Sequence, residues 1–385
     1  MEEMTIKLLK KRCYLLAIGA CLWLHALPSQ AQAGENVEAF LPQTKVGKKP
    51  EVRFDDQSQT YSLELSVLSY NVAALPWPFL KKRAGPIKAI GEELGKLRSR
   101  GVGPDIVLIQ EGFRRSTNLL VNASGYPNWV QGPGRSDESD ETQSHVPKAF
   151  KKQRSLFKGE LTGRIMNSGL FVLSEWPIIS KINEPFYRGE CAGFDCGANK
   201  GILWVNISIP GMPGHLQMLT THLNARGSSG ASAERTLKAH NLQFSHVTKF
   251  LDQNWDAQQP FIFGGDLNIK NAPDRVAFME AQSFETNNSD TGDGREATLA
   301  TTDCLVNPDC TFNIPLDDEK LGIEKQDWQG FGSGRRVRIE TVAVDRLFHQ
   351  SNDQGYTFRG RDTLSDHDGL LVRYRLSWKK LTEGS

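Results

Sequence analysis

The sequence predicts a single α/β domain built on layered β-sheets. From residue 61 onward short apolar runs recur with polar or helical stretches between them, and strands outnumber helices. Composition is that of an ordinary globular protein, and 385 residues suffice to bury a sizeable core. No internal repeat divides the chain.

The elements follow in order. LELSVLSYNV (63–72) alternates apolar and polar residues and ends in Asn71, which reads as a strand. PIKAIGEELGKLRSR (86–100) carries Ile87, Ile90, Leu94 and Leu97 at helical spacing. PDIVLIQE (104–111) is a buried strand closing on Glu111. NSGLFVLSEWPI (167–178), GILWVNISI (201–209), LQMLTTHLN (216–224) and PFIFGGDLN (260–268) are further strands, with a helix over roughly 231–252 between the last two. ETVAVDRLFH (340–349) and GLLVRYRLSW (369–378) complete the set. Residues 281–335 are polar, rich in Gly and Asp, and lack periodicity, so they predict a long elaborated loop region.

The N-terminus is a different kind of segment. Lys7, Lys10, Lys11 and Arg12 precede an apolar run, CYLLAIGACLWLHAL, and AQA at 31–33 supplies small residues for cleavage. The run is shorter than the roughly 20 residues a spanning helix needs, so residues 1–33 are expected to be a secretory signal. Residues 34–60 follow as a polar linker or arm, and 61–380 as the folded domain. Removing 1–33 moves the formal net charge from +1 to −1. Near-neutral charge argues against a protein whose affinity comes from neutralising many nucleic-acid phosphates. Cys191, Cys196, Cys304 and Cys310 remain, two close pairs suited to local disulfides in a secreted or periplasmic protein, although three pairings are open. No CxxC or nearby His pair supports zinc instead.

Asn71, Glu111, His222, Asp266 with Asn268, Asp345, and Asp366 with His367 all fall at or just beyond strand ends. Singly, each is an ordinary turn or capping residue. Together they make a hard-ligand set suited to Mg²⁺, with histidines that donate to phosphoryl oxygens or move protons. A metal, two His and an Asp base indicate phosphoester cleavage by attack of water.

SYN (69–71), IQE (109–111), THLN (221–224), GGDLN (264–268) and SDHDGL (365–370) occur in an order and spacing that resembles the endonuclease/exonuclease/phosphatase superfamily. The resemblance implies a four-layer α/β (α+β) sandwich, two mixed β-sheets packed face to face with helices outside, and Mg²⁺-dependent (or Mn²⁺-dependent) phosphoester hydrolysis. It makes Glu111 the principal metal ligand, with Asn71 beside the metal and Asp366 close by. Asp266 would orient or deprotonate the attacking water, and Asn268 would position it and the phosphate. His222 would contact the phosphate or serve the leaving group, and His367 would act as acid/base or transition-state stabiliser. Asp345, in AVDRLF, matches the carboxylate that orients that His.

CAGFDCGANKGILWVNI (191–207) and NSGLFVLSEWPI resemble segments of bacterial sphingomyelinase C and related neutral sphingomyelinases, which makes Asn167 and Lys200 substrate contacts. The loop after THLN, ARGSSGAS, lacks a cysteine expected of those enzymes, which bears on choline-lipid specificity. Aromatics in LPWPF (75–79), with Trp328 and Phe331, are candidates for docking a monomeric enzyme on a membrane surface. A secreted phospholipid phosphodiesterase is therefore expected. The alternatives are a DNase I-like endonuclease or a phosphoinositide phosphatase of the same superfamily, with nucleic acid the disfavoured partner.

Overall fold

Alternation and helical periodicity are realised as two sheets with helices on their outer faces. A computed structural model of the chain describes residues 50–380, apart from 76–79, 81, 114, 140–144, 270–271, 283–296, 315–326 and 350–354. The signal expected over 1–33, the first part of the arm and the aromatics at 76–79 lie outside the described residues. The arm's later residues include a short strand, β1 (Arg53–Asp55), paired antiparallel with β2 (Thr60–Asn71).

The first sheet contains β1, β2, β3 (Ile106–Gln110), β4 (Asn128–Gln131), β5 (Phe171–Ser174), β11 (Thr311–Phe312), β13 (Arg338–Leu347) and β14 (Gly369–Lys379). Its order is β11-β13-β14-β2-β3-β5-β4, with β1 alongside β2. The second contains β6 (Ile178–Pro185), β7 (Gly201–Ile207), β8 (Leu216–His222), β9 (Phe261–Asp266), β10 (Thr298–Leu299) and β12 (Asp327–Gly332), in the order β10-β12-β9-β8-β7-β6. Both are mixed: β2 and β3 run parallel, as do β8 and β9, while β12 and β14 run antiparallel to their neighbours β9 and β2.

Three cores define four layers. Leu65, Val67, Leu108 and Val372 of one sheet pack against Leu203, Met218, Ile262 and Phe331 of the other. Leu68, Tyr70 and Ile109 face outward under the apolar stripe (Ile87, Ile90, Leu94) of α1 (Ala84–Ser99) and under Leu120 and Val121 of α2 (Thr117–Ser124). Trp204, Leu219, Phe261 and Phe263 are covered by Phe244, Val247 and Phe250 of α4 (Ala233–Asn254) and Met279 of α5 (Pro273–Ala281). The side chain of Ser232 caps α4, accepting from Arg235 N at 3.3 Å. The remaining helices are α3 (Lys148–Lys152) and α6 (Ala300–Val306).

Two expectations change. The stretch 281–335 is not one loop: it contributes β10, α6, β11 and β12 among the described residues. β12 escapes a hydrophobicity reading because its inward positions are Asp327, Gln329 and Phe331, so only one of three is apolar. Gln329 Nε2 instead spans the sandwich to the carbonyls of Val67 and Leu370 at 3.1 and 2.7 Å. Trp328 and Phe331 are therefore buried in opposite cores and cannot dock on a membrane.

The glycine pair of GGDLN has a packing cause. A Cβ at Gly265 would lie 2.1 Å from Thr221 O of β8, and one at Gly264 2.9 Å from Leu108 Cδ1 of the facing sheet. Close approach in both directions brings the ends of β9, β8 and β3 together.

Candidate active site

Strand direction decides where the polar residues emerge. The C-terminal ends of β2, β3, β8 and β9 and the N-terminal ends of β12 and β14 lie at one edge of the sandwich. His222 pairs with Asp266 across β8–β9, and Asp266 with Asp327 across β9–β12. Asn71 pairs with Gln110, the residue before Glu111, and Ser365 Oγ, just ahead of β14, donates to Asn71 O at 2.7 Å. The structure thus brings together Asn71, Glu111, His222, Asp266, Asn268 and His367.

Asp266 is the hub. Its Oδ2 accepts from Asn71 Nδ2 at 2.9 Å and its Oδ1 from Asn268 N at 2.9 Å. His222 Nε2 stands 3.4 Å and His367 Nε2 3.8 Å from Oδ2. Burial, with the Asp327 charge, pushes the Asp266 carboxyl up to about 6, while His367 and Asn71 pull the other way. Asn268 and Glu111 both have left-handed backbones, at φ 54 and φ 58, in a region disfavoured for side-chain-bearing residues. Asn268 is held there by its Nδ2 bond to Leu223 O at 3.0 Å. Glu111, half-buried, is pushed up to about 7 chiefly by burial, with His367 and the Asn71 hydrogen bond opposing.

The histidines differ in charge. His222 is driven well below its ordinary value by burial, then by the positive charges of Lys200 and His367. Lys200 Nζ donates to its Nε2 at 3.2 Å, so that nitrogen is an acceptor, and Nδ1 has no hydrogen-bond partner among the described residues. Burial opposes charge on His367 too, but Asp327, Asp266 and Asp366 outweigh it and hold the imidazole well above its ordinary value. His367 Nδ1 donates to Asp327 Oδ2 at 2.7 Å.

The expected orienting carboxylate was Asp345, and here the structure corrects the sequence reading. Asp345 accepts from Asn313 Nδ2 at 3.1 Å and from Arg346 N at 2.7 Å. Its strand carries a register shift between Thr341 and Ala343. Ile339 and Val344 both face the inter-sheet core, so the alternation has inverted and Asp345 points away from the site. Asp327 takes the place against His367.

Lys200 is also more constrained than a substrate contact would be. Beyond His222, its Nζ donates to Asp195 Oδ2 at 2.8 Å and Leu223 O at 3.0 Å. Asp195 in turn accepts from Ala225 N at 2.6 Å, so the pair holds His222 in place. Asn167 sits half-buried at the rim, its Oδ1 accepting from Gly169 N at 3.2 Å, and Gly169 O accepts from Gly112 N beside Glu111. Asp366 is exposed, 3.8 Å from Arg359, and its charge acts on both Glu111 and His367.

Two further residues support the site. Arg275, fully buried on α5, donates through Nη1 to the carbonyls of Asn224 and Asn268 at 2.7 and 2.9 Å. Nothing in PDRVAF marks an inward arginine, whereas Asp327, an acid leading into the aromatics of DWQGFG, is a signal the sequence carries.

Four carboxylates, Glu111, Asp266, Asp327 and Asp366, gather around His367, while Lys200 is paired with Asp195 and Arg359 stands beside Asp366 alone. Glu111 above all is a recessed oxygen donor whose burial no neighbouring cation fully offsets, a donor set that fits Mg²⁺. Asp266, Asp327 and His367 also offer ligand atoms within 4.8 Å of one another. With His367 Nδ1 already engaged by Asp327, that trio is better described as a histidine held between carboxylates than as a cation cage.

The two mixed sheets with outer helices match the α/β sandwich of the solved proteins that the chain resembles. No family model matches the chain. Among curated proteins it is similar to sphingomyelinase C of Listeria ivanovii, 30% identical over 181 residues (46% of this chain, 48% of that protein). It is likewise similar to sphingomyelinase C of Bacillus cereus, 27% identical over 220 residues (55% and 60%). The chain thus spans about half the length of the curated relatives it matches. The fold is shared with beta toxin of Staphylococcus aureus (TM-score 0.53, 16% identity, covering 82% of this chain and 100% of that one). It is shared too with sphingomyelinase C of Streptomyces griseocarneus (0.52, 20%, 80% and 99%) and with a beta toxin variant carrying bound magnesium ions (0.50, 17%, 82% and 100%).

Proposed function

We propose that this protein is an exported, Mg²⁺-dependent phosphodiesterase that hydrolyses the phosphoester of a phospholipid, with sphingomyelin as the leading substrate. The observation that carries the reading is Asp266 Oδ2 set between two histidines, 3.4 Å from His222 and 3.8 Å from His367. The names of the relatives support the substrate, and the two disulfides, Cys191–Cys196 and Cys304–Cys310, support an oxidising compartment.

Glu111, with Asn71 and Asp366 beside it, would hold the cation, which when bound neutralises phosphate charge and polarises the phosphoryl oxygens. Asp266 orients the attacking water and takes its proton, its raised pKa suiting it as a base near neutral pH. The Asn268 amide positions water and phosphate from a backbone fixed by Arg275. His367, charged and held by Asp327, faces the charge that develops on the phosphoryl group and supplies the proton to the departing oxygen. His222, neutral and gripped by Lys200, flanks Asp266, and Asn167 lines the rim.

The test offers the purified protein sphingomyelin vesicles, phosphoinositide vesicles and duplex DNA, each with Mg²⁺ and with EDTA. Mg²⁺-dependent release of phosphocholine is expected, with loss in Glu111→Gln. Cleavage of DNA alone would overturn the lipid reading.

A further inference from the structure

Beside the site stands a segment that the catalytic reading does not use. Between Lys148 and Ile165 the chain carries Lys148, Lys151, Lys152, Arg154, Lys158 and Arg164 against a single acid, Glu160, in a protein otherwise close to neutral. Glu160 is buried and committed, accepting from Arg235 Nε at 2.7 Å and Gly193 N at 2.8 Å. The surface of this segment is therefore cationic.

It is also apolar. Phe157 is 91% exposed, and Leu156, Leu161, Ile165 and Phe194 are exposed by 43–58%. These five side chains come from two pieces of chain stitched together. Ile165 N and Met166 N both donate to Gly197 O, at 2.8 and 3.0 Å, while the Gly193 bond to Glu160 fastens the other end. The Phe194 ring lies over Gly159, and Ile165 over Gly197. The Cys191–Cys196 disulfide closes the turn that carries Phe194. A large apolar cluster held open on a bonded framework, in a segment that carries four lysines, has a cost in water that calls for a partner.

We infer that this face, centred on Leu156 and Phe157, docks the protein on the surface of an anionic phospholipid bilayer. Charge and apolarity select the occupant jointly. Lysines attract the surface potential of anionic head groups while leucine, isoleucine and phenylalanine enter the head-group boundary. A nucleic-acid partner would use the cations and could stack on Phe157 and Phe194, but three of the five exposed side chains, Leu156, Leu161 and Ile165, are branched aliphatics that offer a base no π-face. A cavity of about 160 Å³ is lined both by Arg154, Leu161 and Arg164 of this segment and by Asp195 and Lys200, which hold His222. Docking would set the site beside the lipid layer it draws from. The inference deepens the phosphodiesterase reading and rests on it for the purpose of docking, not for its existence.

The experiment is sedimentation of the protein with vesicles of phosphatidylcholine alone and of phosphatidylcholine with phosphatidylglycerol, in EDTA so that no turnover occurs. Binding to the anionic vesicles is expected, weakened by salt. Leu156→Ser with Phe157→Ser should reduce it at least about tenfold, and Lys152→Gln or Lys158→Gln by about fivefold each. Because these side chains are exposed, unchanged melting temperatures will establish that the variants fold. The inference is overturned if the parent protein fails to sediment, or if the double serine variant sediments equally well. It is overturned too if sedimentation velocity without vesicles shows a dimer that the serine variant loses, or if duplex DNA binds through the lysines while vesicles do not. A protein that docks yet leaves sphingomyelin intact would refute the proposed activity and keep the docking face. One that hydrolyses without sedimenting would do the reverse.

Discussion

Replacing Asp327 by Asn keeps its size while removing its charge, and separates the two candidates for orienting His367. The bond at stake is 2.7 Å long, between a histidine and a carboxylate that are both largely buried. A hydrogen bond to a charged group contributes about 1.5–3 kcal/mol, equivalent to about one to two pKa units on His367 and about ten- to hundredfold in rate. The sign follows from the cause: Asp327 is the foremost influence raising His367, so its loss lets burial pull the imidazole down toward and below its ordinary value. NMR titration of the imidazole in EDTA reads that shift directly. Hydrolysis of a soluble phosphodiester across pH should show a lower kcat and an alkaline limb moved to lower pH, with KM nearly unchanged. Should Asp327→Asn leave the rate and the titration as they were, or Asp345→Asn reproduce the loss, the assignment of Asp327 is wrong.

Three other outcomes are expected. Arg275→Leu leaves the buried carbonyls of Asn224 and Asn268 without their donor, and urea denaturation should show a loss of about 2–4 kcal/mol, with kcat falling as Asn268 loosens. Gly265→Ala forces a methyl within 2.1 Å of Thr221 O and spreads β8 from β9; a destabilisation of more than about 3 kcal/mol, read as a lowered melting temperature, with activity lost before unfolding, is the expected result. His246 is bonded by Glu190 at 2.9 Å and Glu184 at 3.0 Å, and although burial works against its charge, the two carboxylates raise its pKa. Its stabilisation is thus full below the unfolded value of about 6.5 and fades as pH climbs through the higher folded value. The stability gap between parent and His246→Gln, measured by thermal melts from mildly acidic to alkaline pH, should narrow as pH rises.

Strands with an apolar inner face were legible from sequence because burial on both sides writes itself as an unbroken run: IVLIQ of β3 and FIFGGD of β9 could hardly be anything else. β12 was not legible, for a reason tied to function. Near the site the inner face of a strand must present polar groups, so Asp327 and Gln329 erase the very alternation that would reveal it. Asp345 misled for a related reason: spacing along the chain says nothing about a register shift that turns a side chain to the other face. Arg275 left no trace because a buried arginine on a helix is recognised only once the carbonyls it serves are in place. The cysteine pairs, by contrast, are local, and proximity in sequence is proximity in space.

β2 opens the sandwich and β14 closes it, yet they lie side by side, and the bond from Ser365 to Asn71 spans 294 residues of chain. Such a seam is the slowest kind of contact to form, since its loop closes only after everything between has been made. Asn71 travels with the first long strand, and His367 arrives just ahead of the last. A nascent, truncated or clipped chain that lacks the final strand therefore has no partially working version of the site. For the proposed lipid hydrolysis, the site is complete only once β14 has paired with β2.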